Sequence, residues 1–136
     1  MRMLVDTSVW SLAFRKKEIN NEDQKIIAKL SKAIRELNIE IIGPIRQEIL
    51  CGIKNTELFE ELKVKLGVFK DLQINTQDYE LAAESFNKCR SNGIQGSHID
   101  FLICAVSVSN KLKIFTLAKD FENYKKYIPI KIEKIA

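Results

Sequence analysis

The run His98-Ile99-Asp100-Phe101-Leu102-Ile103-Cys104-Ala105-Val106 constrains the fold more than any other stretch of the chain. It is long enough for a helix and apolar on nearly every face, so it belongs inside the protein. An acidic residue nevertheless stands in its first turn. Ionised carboxylates are rarely buried unless they are paired or bound to a metal. Ser97-x-x-Asp100 fits a capping box, with the serine at the N-cap and the acid three residues on. Asp100 is therefore either a capping group or one member of a functional cluster. The choice depends on whether other acids can reach it.

The flanking sequence alternates strands with helices. Arg2 to Val5 reads as a short buried strand, and Asp6-Thr7-Ser8 then offers N-cap chemistry to a helix through Val9, Trp10, Leu12 and Phe14. From Asn21 a helix carries Ile26, Ile27, Leu30, Ile34 and Leu37 at helical spacing, with Lys25, Lys29, Lys32 and Arg35 on its other side. Ile39 to Ile42 reads as a second strand, and Gly43-Pro44 opens a helix holding Ile45, Glu48 and Ile49. Leu58, Phe59, Leu62, Leu66 and Phe69 mark another helix, and Leu72 to Ile74 a short strand. Thr76 is expected to cap a helix that stops near Gly93. After the apolar run, Lys113 to Thr116 reads as a strand and Asp120 begins a short helix through Tyr127. Ile128, Ile130 and Ile132 alternate with Pro129, Lys131 and Glu133, a half-buried strand that its proline places at an edge. This alternation predicts an α/β protein with a parallel sheet covered on both faces.

Composition narrows the chemistry. The 136 residues, 46% apolar and 29% charged, fit one globular domain with a real core. No segment has the apolar length of a membrane span, and the acid at position 6 leaves no room for a signal-peptide apolar region. Cys51, Cys89 and Cys104 are odd in number and widely spaced, which reads as reduced core thiols of a cytoplasmic protein and not as a disulfide framework. His98 is the only histidine, which argues against a histidine triad or a histidine-rich metal site. Any metal would be held by oxygen, as suits Mg²⁺ or Mn²⁺. The net charge of +4 mildly favours an anionic partner.

Asp6 ends the first strand, Asp120 follows a later one, Asp100 opens the buried helix and Glu48 sits early in the helix after the second strand. In a parallel sheet the carboxyl ends of the strands share one edge, where ligands bind. Two carboxylates about 5 Å apart repel by roughly 3 kcal/mol at an effective dielectric near 20. A divalent cation removes that conflict, and carboxylate clusters without histidine serve phosphoryl chemistry.

These residues also carry a resemblance. Leu4-Val5-Asp6-Thr7-Ser8-Val9-Trp10, Glu48-Ile49-Leu50-x-Gly52, Asp78-Tyr79-x-x-Ala82-Ala83, Gly93-Ile94, Ile99-Asp100-x-x-Ile103 and Phe115-Thr116-x-x-x-Asp120-Phe121 occur in the order and spacing of the PIN-domain ribonucleases. More narrowly, the chain resembles the VapC toxins of toxin–antitoxin pairs, over essentially its whole length. The resemblance implies a single PIN-like domain over 1–136, an α/β/α sandwich on a small, mostly parallel sheet. It implies hydrolysis of RNA phosphodiester bonds with Mg²⁺ or Mn²⁺. Asp6 and Asp100 fall on direct metal ligands, Glu48 on a group that binds metal through water or activates the attacking water, and Thr116 and Ser8 on supporting hydroxyls. It further implies a VapB-like antitoxin and a homodimer. Trp10 and Phe14 are either part of a groove for the antitoxin or simply core. Lys16, Lys17, Arg46 and Lys119 are candidates for steering RNA.

One departure stands out. Many relatives read Thr-x-Asp-x-Asp-Phe after the last catalytic strand, whereas this chain reads Thr116-Leu117-Ala118-Lys119-Asp120-Phe121. The usual fourth acid is an alanine. Either Asp120 supplies the charge from two residues on, or it only caps the following helix. Alternatively, Ala118 is a substitution, natural or engineered, that weakens a nuclease or leaves an RNA-binding or partner-binding PIN fold without catalysis.

Overall fold

Four short strands are laid side by side in the order β2-β1-β3-β4, all parallel: Met3–Val5 (β1), Ile39–Glu40 (β2), Lys113–Phe115 (β3) and Lys131–Ile132 (β4). Parallel strands need crossovers, and helices supply them: Thr7–Arg15 (α1), Asn21–Arg35 (α2), Gly43–Leu50 (α3), Thr56–Leu66 (α4), Thr76–Ser91 (α5), His98–Ser109 (α6) and Asp120–Tyr124 (α7). The computed structural model describes residues 1–135. The expected α/β architecture, with helices flanking a small parallel sheet, is present.

The interior follows from the apolar runs. In α6 every residue from Phe101 to Ser107 is buried, and its most extensive helix partner is α5. Trp10 is wholly inaccessible: its indole lies 5.7 Å from the Phe14 ring and 5.6 Å from Phe69, and Nε1 donates to the Val5 carbonyl. Trp10 is thus core and no groove wall, and Phe14 packs half-buried against it.

Several boundaries differ from the sequence reading. Leu37 does not extend the apolar stripe of α2. It lies in the left-handed region (φ 57°), 82% exposed, where its N–H bonds to Ile34 and that of Asn38 to Ala33. This is a Schellman closure with a leucine where glycine is usual. It frees Asn38 to lead straight into β2, a gain that outweighs stripe periodicity. β2 pairs with β1 only at Ile39 and Glu40, while Ile41 makes an isolated parallel bridge to Asp71, which is what remains of the strand expected at Leu72 to Ile74. β4 is an edge strand as its proline implied, but its ladder begins only at Lys131, beyond Pro129, which has no N–H to donate. The N-cap of α5 is Asn75, not Thr76, with Asp78 accepting the Asn75 N–H at 2.9 Å. The helix after Asp120 ends at Tyr124. Cys89 and Cys104 are buried as expected, whereas Cys51 is exposed.

Two candidate RNA-steering cations are committed elsewhere. Lys16 pairs with Asp23 at 2.6 Å. Arg46 donates Nε to Asp71 at 2.9 Å and its terminal nitrogens to the Leu66 and Phe69 carbonyls, so it clamps the segment after α4 onto α3. Hydrogen bonds from charged donors are worth about 1.5–3 kcal/mol. Arg46→Ala should therefore lose about 2 kcal/mol of stability in denaturant titration, with nucleic-acid binding by the folded protein nearly unchanged.

Candidate active site

The chain runs from β1 to β2 on one side and returns to place β3 on the other, so the sheet's topological switch point lies at the carboxyl ends of β1 and β3. Such crevices are where open α/β sheets bind ligands. Val5 is paired with Phe115, and the Asp6 N–H donates to the Phe115 carbonyl at 2.9 Å. Asp6 and Thr116 are therefore neighbours although 110 residues separate them.

Asp6 occupies the N-cap position of α1, but its side chain caps nothing. Its Oδ2 instead accepts from Thr116 Oγ1 at 2.7 Å and from Ser8 Oγ at 2.9 Å. The same two hydroxyl oxygens accept backbone N–H groups, Ser8 from Leu117 and Thr116 from Ala118, each at 3.0 Å. Each hydroxyl proton is thus spent on Asp6, and the 3.3 Å approach of Ser8 Oγ to Thr116 Oγ1 is packing rather than a further bond. The loop after β3 is stitched to the start of α1 through one buried carboxylate.

Asp100 takes only half of its expected capping box. Its backbone N–H donates to Ser97 Oγ at 3.1 Å, but its carboxylate Oδ2 accepts from Tyr124 Oη at 2.6 Å. Burial raises the Asp100 carboxyl above the usual range, the hydrogen bonds from Tyr124 and Ser97 oppose the rise, and the charges of Asp6 and Asp120 add to it. Glu48 is raised as well, first by burial and then by Asp6 and Asp100. Burial and the Asp100 carboxylate push the Tyr124 phenol well above its ordinary value, so it serves as a donor. Glu48 thus lies within the fields of Asp6 and Asp100, and Asp100 within those of Asp6 and Asp120. Asp120 is exposed in the first turn of α7 and makes no side-chain cap. Ala118 is half-buried beside Thr116 and brings no charge.

A family model described as PIN domain matches residues 3–127. The chain belongs to the PIN domain family. Solved structures agree in fold across nearly the whole length of this PIN domain. It is similar to FitAcB from Neisseria gonorrhoeae, at 17% identity and a TM-score of 0.75 over 98% of this chain and 97% of that one. It is similar to VapBC-1 from nontypeable Haemophilus influenzae, at 14% identity and a TM-score of 0.74 over 99% and 98%. It is also similar to VapBC2 from Rickettsia felis bound to a promoter DNA fragment, at 16% identity and a TM-score of 0.71 over 98% of each chain. No curated protein matches the sequence. Among the described residues no helix is long and apolar enough to cross a membrane.

The donors of this PIN domain suit a hard divalent cation, being carboxylate and hydroxyl oxygens. The Thr7 hydroxyl is buried without a hydrogen bond of ordinary geometry, yet it stands near enough to Glu48 to favour that group's charged form. Such an orphaned buried oxygen marks a polar site. Among the described residues no three acidic, thiol or imidazole side chains stand close enough together to hold a metal ion by themselves. Sequence reasoning missed Tyr124 and Thr7, since a phenol at the end of a short helix and a threonine beside an N-cap carry no signal until tertiary packing supplies their partners.

Proposed function

We propose that this PIN domain is a metal-dependent endoribonuclease and the toxin of a type II toxin–antitoxin pair, working in the cytoplasm. What supports the reading is that Glu48 resists ionisation in part because of Asp6 and Asp100, and Asp100 in part because of Asp6 and Asp120. Asp6 and Asp100 would hold Mg²⁺ or Mn²⁺ directly. When bound, such an ion lowers the pKa of water and offsets charge on a phosphate. Glu48, with its raised proton affinity, is suited to take a proton from the attacking water. Ser8 and Thr116 keep Asp6 in one orientation through the two bonds to its Oδ2.

The similarity in fold to FitAcB and the VapBC complexes supports an antitoxin partner. An acidic pocket of this kind would accept a basic side chain from that partner, and the toxin would pair as a homodimer. A second reading, RNA binding without cleavage, is favoured by Ala118 at the position where relatives carry a fourth acid.

Incubation with RNA in Mn²⁺ and in chelator separates the two. The nuclease cuts internally with Mn²⁺ and leaves RNA intact in chelator. A binder shows RNA affinity that persists in chelator and falls with salt, with no products under either condition. Intact RNA at all Mn²⁺ concentrations would remove the nuclease reading.

A further inference from the structure

The chain contains an internal comparison. Three of its helices begin with an N-cap side chain followed three residues later by an aspartate: Asn20 with Asp23, Asn75 with Asp78, and Ser97 with Asp100. In the first two the carboxylate turns back onto its own N-cap, Asp23 accepting the Asn20 N–H at 3.3 Å and Asp78 accepting the Asn75 N–H at 2.9 Å. In the third it does not. Asp100 Oδ2 is taken by Tyr124, which arrives from α7, 24 residues along the chain. The local preference of Asp100 is to cap its helix, and a short phenol–carboxylate bond overrides it.

The phenol is fixed from several sides. Tyr124 is 1% exposed, with its ring 4.8 Å from that of Phe101 and 5.2 Å from that of Phe121. Its hydroxyl end rests against Gly96, where an added Cβ would overlap Tyr124 Oη and come within 2.8 Å of Phe101 Cε2. Gly96 does not have a positive φ, so glycine is needed there for space.

We infer that Tyr124, seated on Gly96, is a positioning residue that draws the Asp100 carboxylate away from its own helix cap and presents it to the acidic pocket. The inference rests on the reading of Asp6 and Asp100 as the pocket's metal-holding acids, and it gives Tyr124 the part of the outer partner that orients a ligating carboxylate. Tyr124→Phe keeps the ring and its packing, removes the bond, and leaves Asp100 free to complete the capping box with Ser97. The helix then gains a cap while the pocket loses an oriented ligand.

Calorimetric Mn²⁺ titration of the full chain tests this on the wild type, Tyr124→Phe, Gly96→Ala and Asp100→Asn, with melts of each in chelator. Tyr124→Phe is expected to weaken Mn²⁺ binding about tenfold, with cleavage largely restored at saturating Mn²⁺. Gly96→Ala should weaken binding as well, although the phenol is still present. The double variant should bind no worse than the weaker single one, because both changes break one contact. A merely structural tyrosine would lower the melting temperature and leave Mn²⁺ affinity alone. Wild-type affinity in Tyr124→Phe, alongside loss in Asp100→Asn, overturns the inference and spares the metal reading. Unchanged affinity in Asp100→Asn overturns both.

Discussion

Asp6→Asn and Asp100→Asn are each expected to reduce Mn²⁺-dependent RNA cleavage by on the order of 10³-fold, while Asp100→Asn makes the metal-free protein harder to melt. A charge that stabilises the transition state through a metal is worth several kcal/mol, and each 1.36 kcal/mol is a factor of ten. The isosteric amides isolate that charge. Asn at position 6 can still accept from Ser8 and Thr116, and Asn at position 100 from Tyr124. The stability half rests on Asp100, whose proton affinity the fold raises through burial and the neighbouring acids. A group with a raised folded pKa contributes stability that is present below its unfolded pKa and lost as pH rises through the folded value. At neutral pH ionised Asp100 is therefore a net burden on the empty pocket, and Asn resembles its protonated form. Because Asp100 is only partly buried the gain is small, an increase of about 1–3 °C in chelator. An acid whose only task was capping gives the opposite sign, a loss of about 1 kcal/mol when removed. Cleavage assays of both variants and melts of Asp100→Asn in chelator and in Mn²⁺ read the two halves, and a fall in the Asp100→Asn chelator melt would refute the crowding on which the site depends.

Ala118→Asp should raise Mn²⁺-dependent cleavage by about tenfold or more. The residue follows β3 by three positions and its N–H donates to Thr116 Oγ1, the oxygen that also bonds Asp6. A carboxylate there, two residues beyond Thr116, would give an ion a further donor. The same change should lower the chelator melting temperature, because it adds to the repulsion that Asp100→Asn relieves. Single-turnover cleavage rates across a Mn²⁺ series measure the gain. If the rate does not rise, Asp120 already supplies the missing charge, and Asp120→Asn in the natural background should then show the loss.

The sequence made Asp100 conspicuous because it sets a charge in an apolar run, and Asp6 and Glu48 because each follows a strand, as the family resemblance also marked them. Strand–helix alternation was equally readable, since a parallel sheet requires its crossovers. What stayed hidden were relations that no local pattern encodes. Arg46 looks like any surface cation until the carbonyls of Leu66 and Phe69 close around it. Leu37 continues the helical period of α2 and is nonetheless turned outward, because the route into β2 decides its conformation. Asp100 shares its capping pattern with Asp23 and Asp78, and only the arrival of Tyr124 sets it apart.

The seam between β1 and β3 joins Asp6 to a threonine 110 residues later. On a translating ribosome Asp6 emerges well before Thr116, Asp120 and Tyr124 follow it out of the exit tunnel. A truncated or unfinished chain would therefore lack the pocket and, on the proposed ribonuclease reading, would be inert toward the machine that is making it.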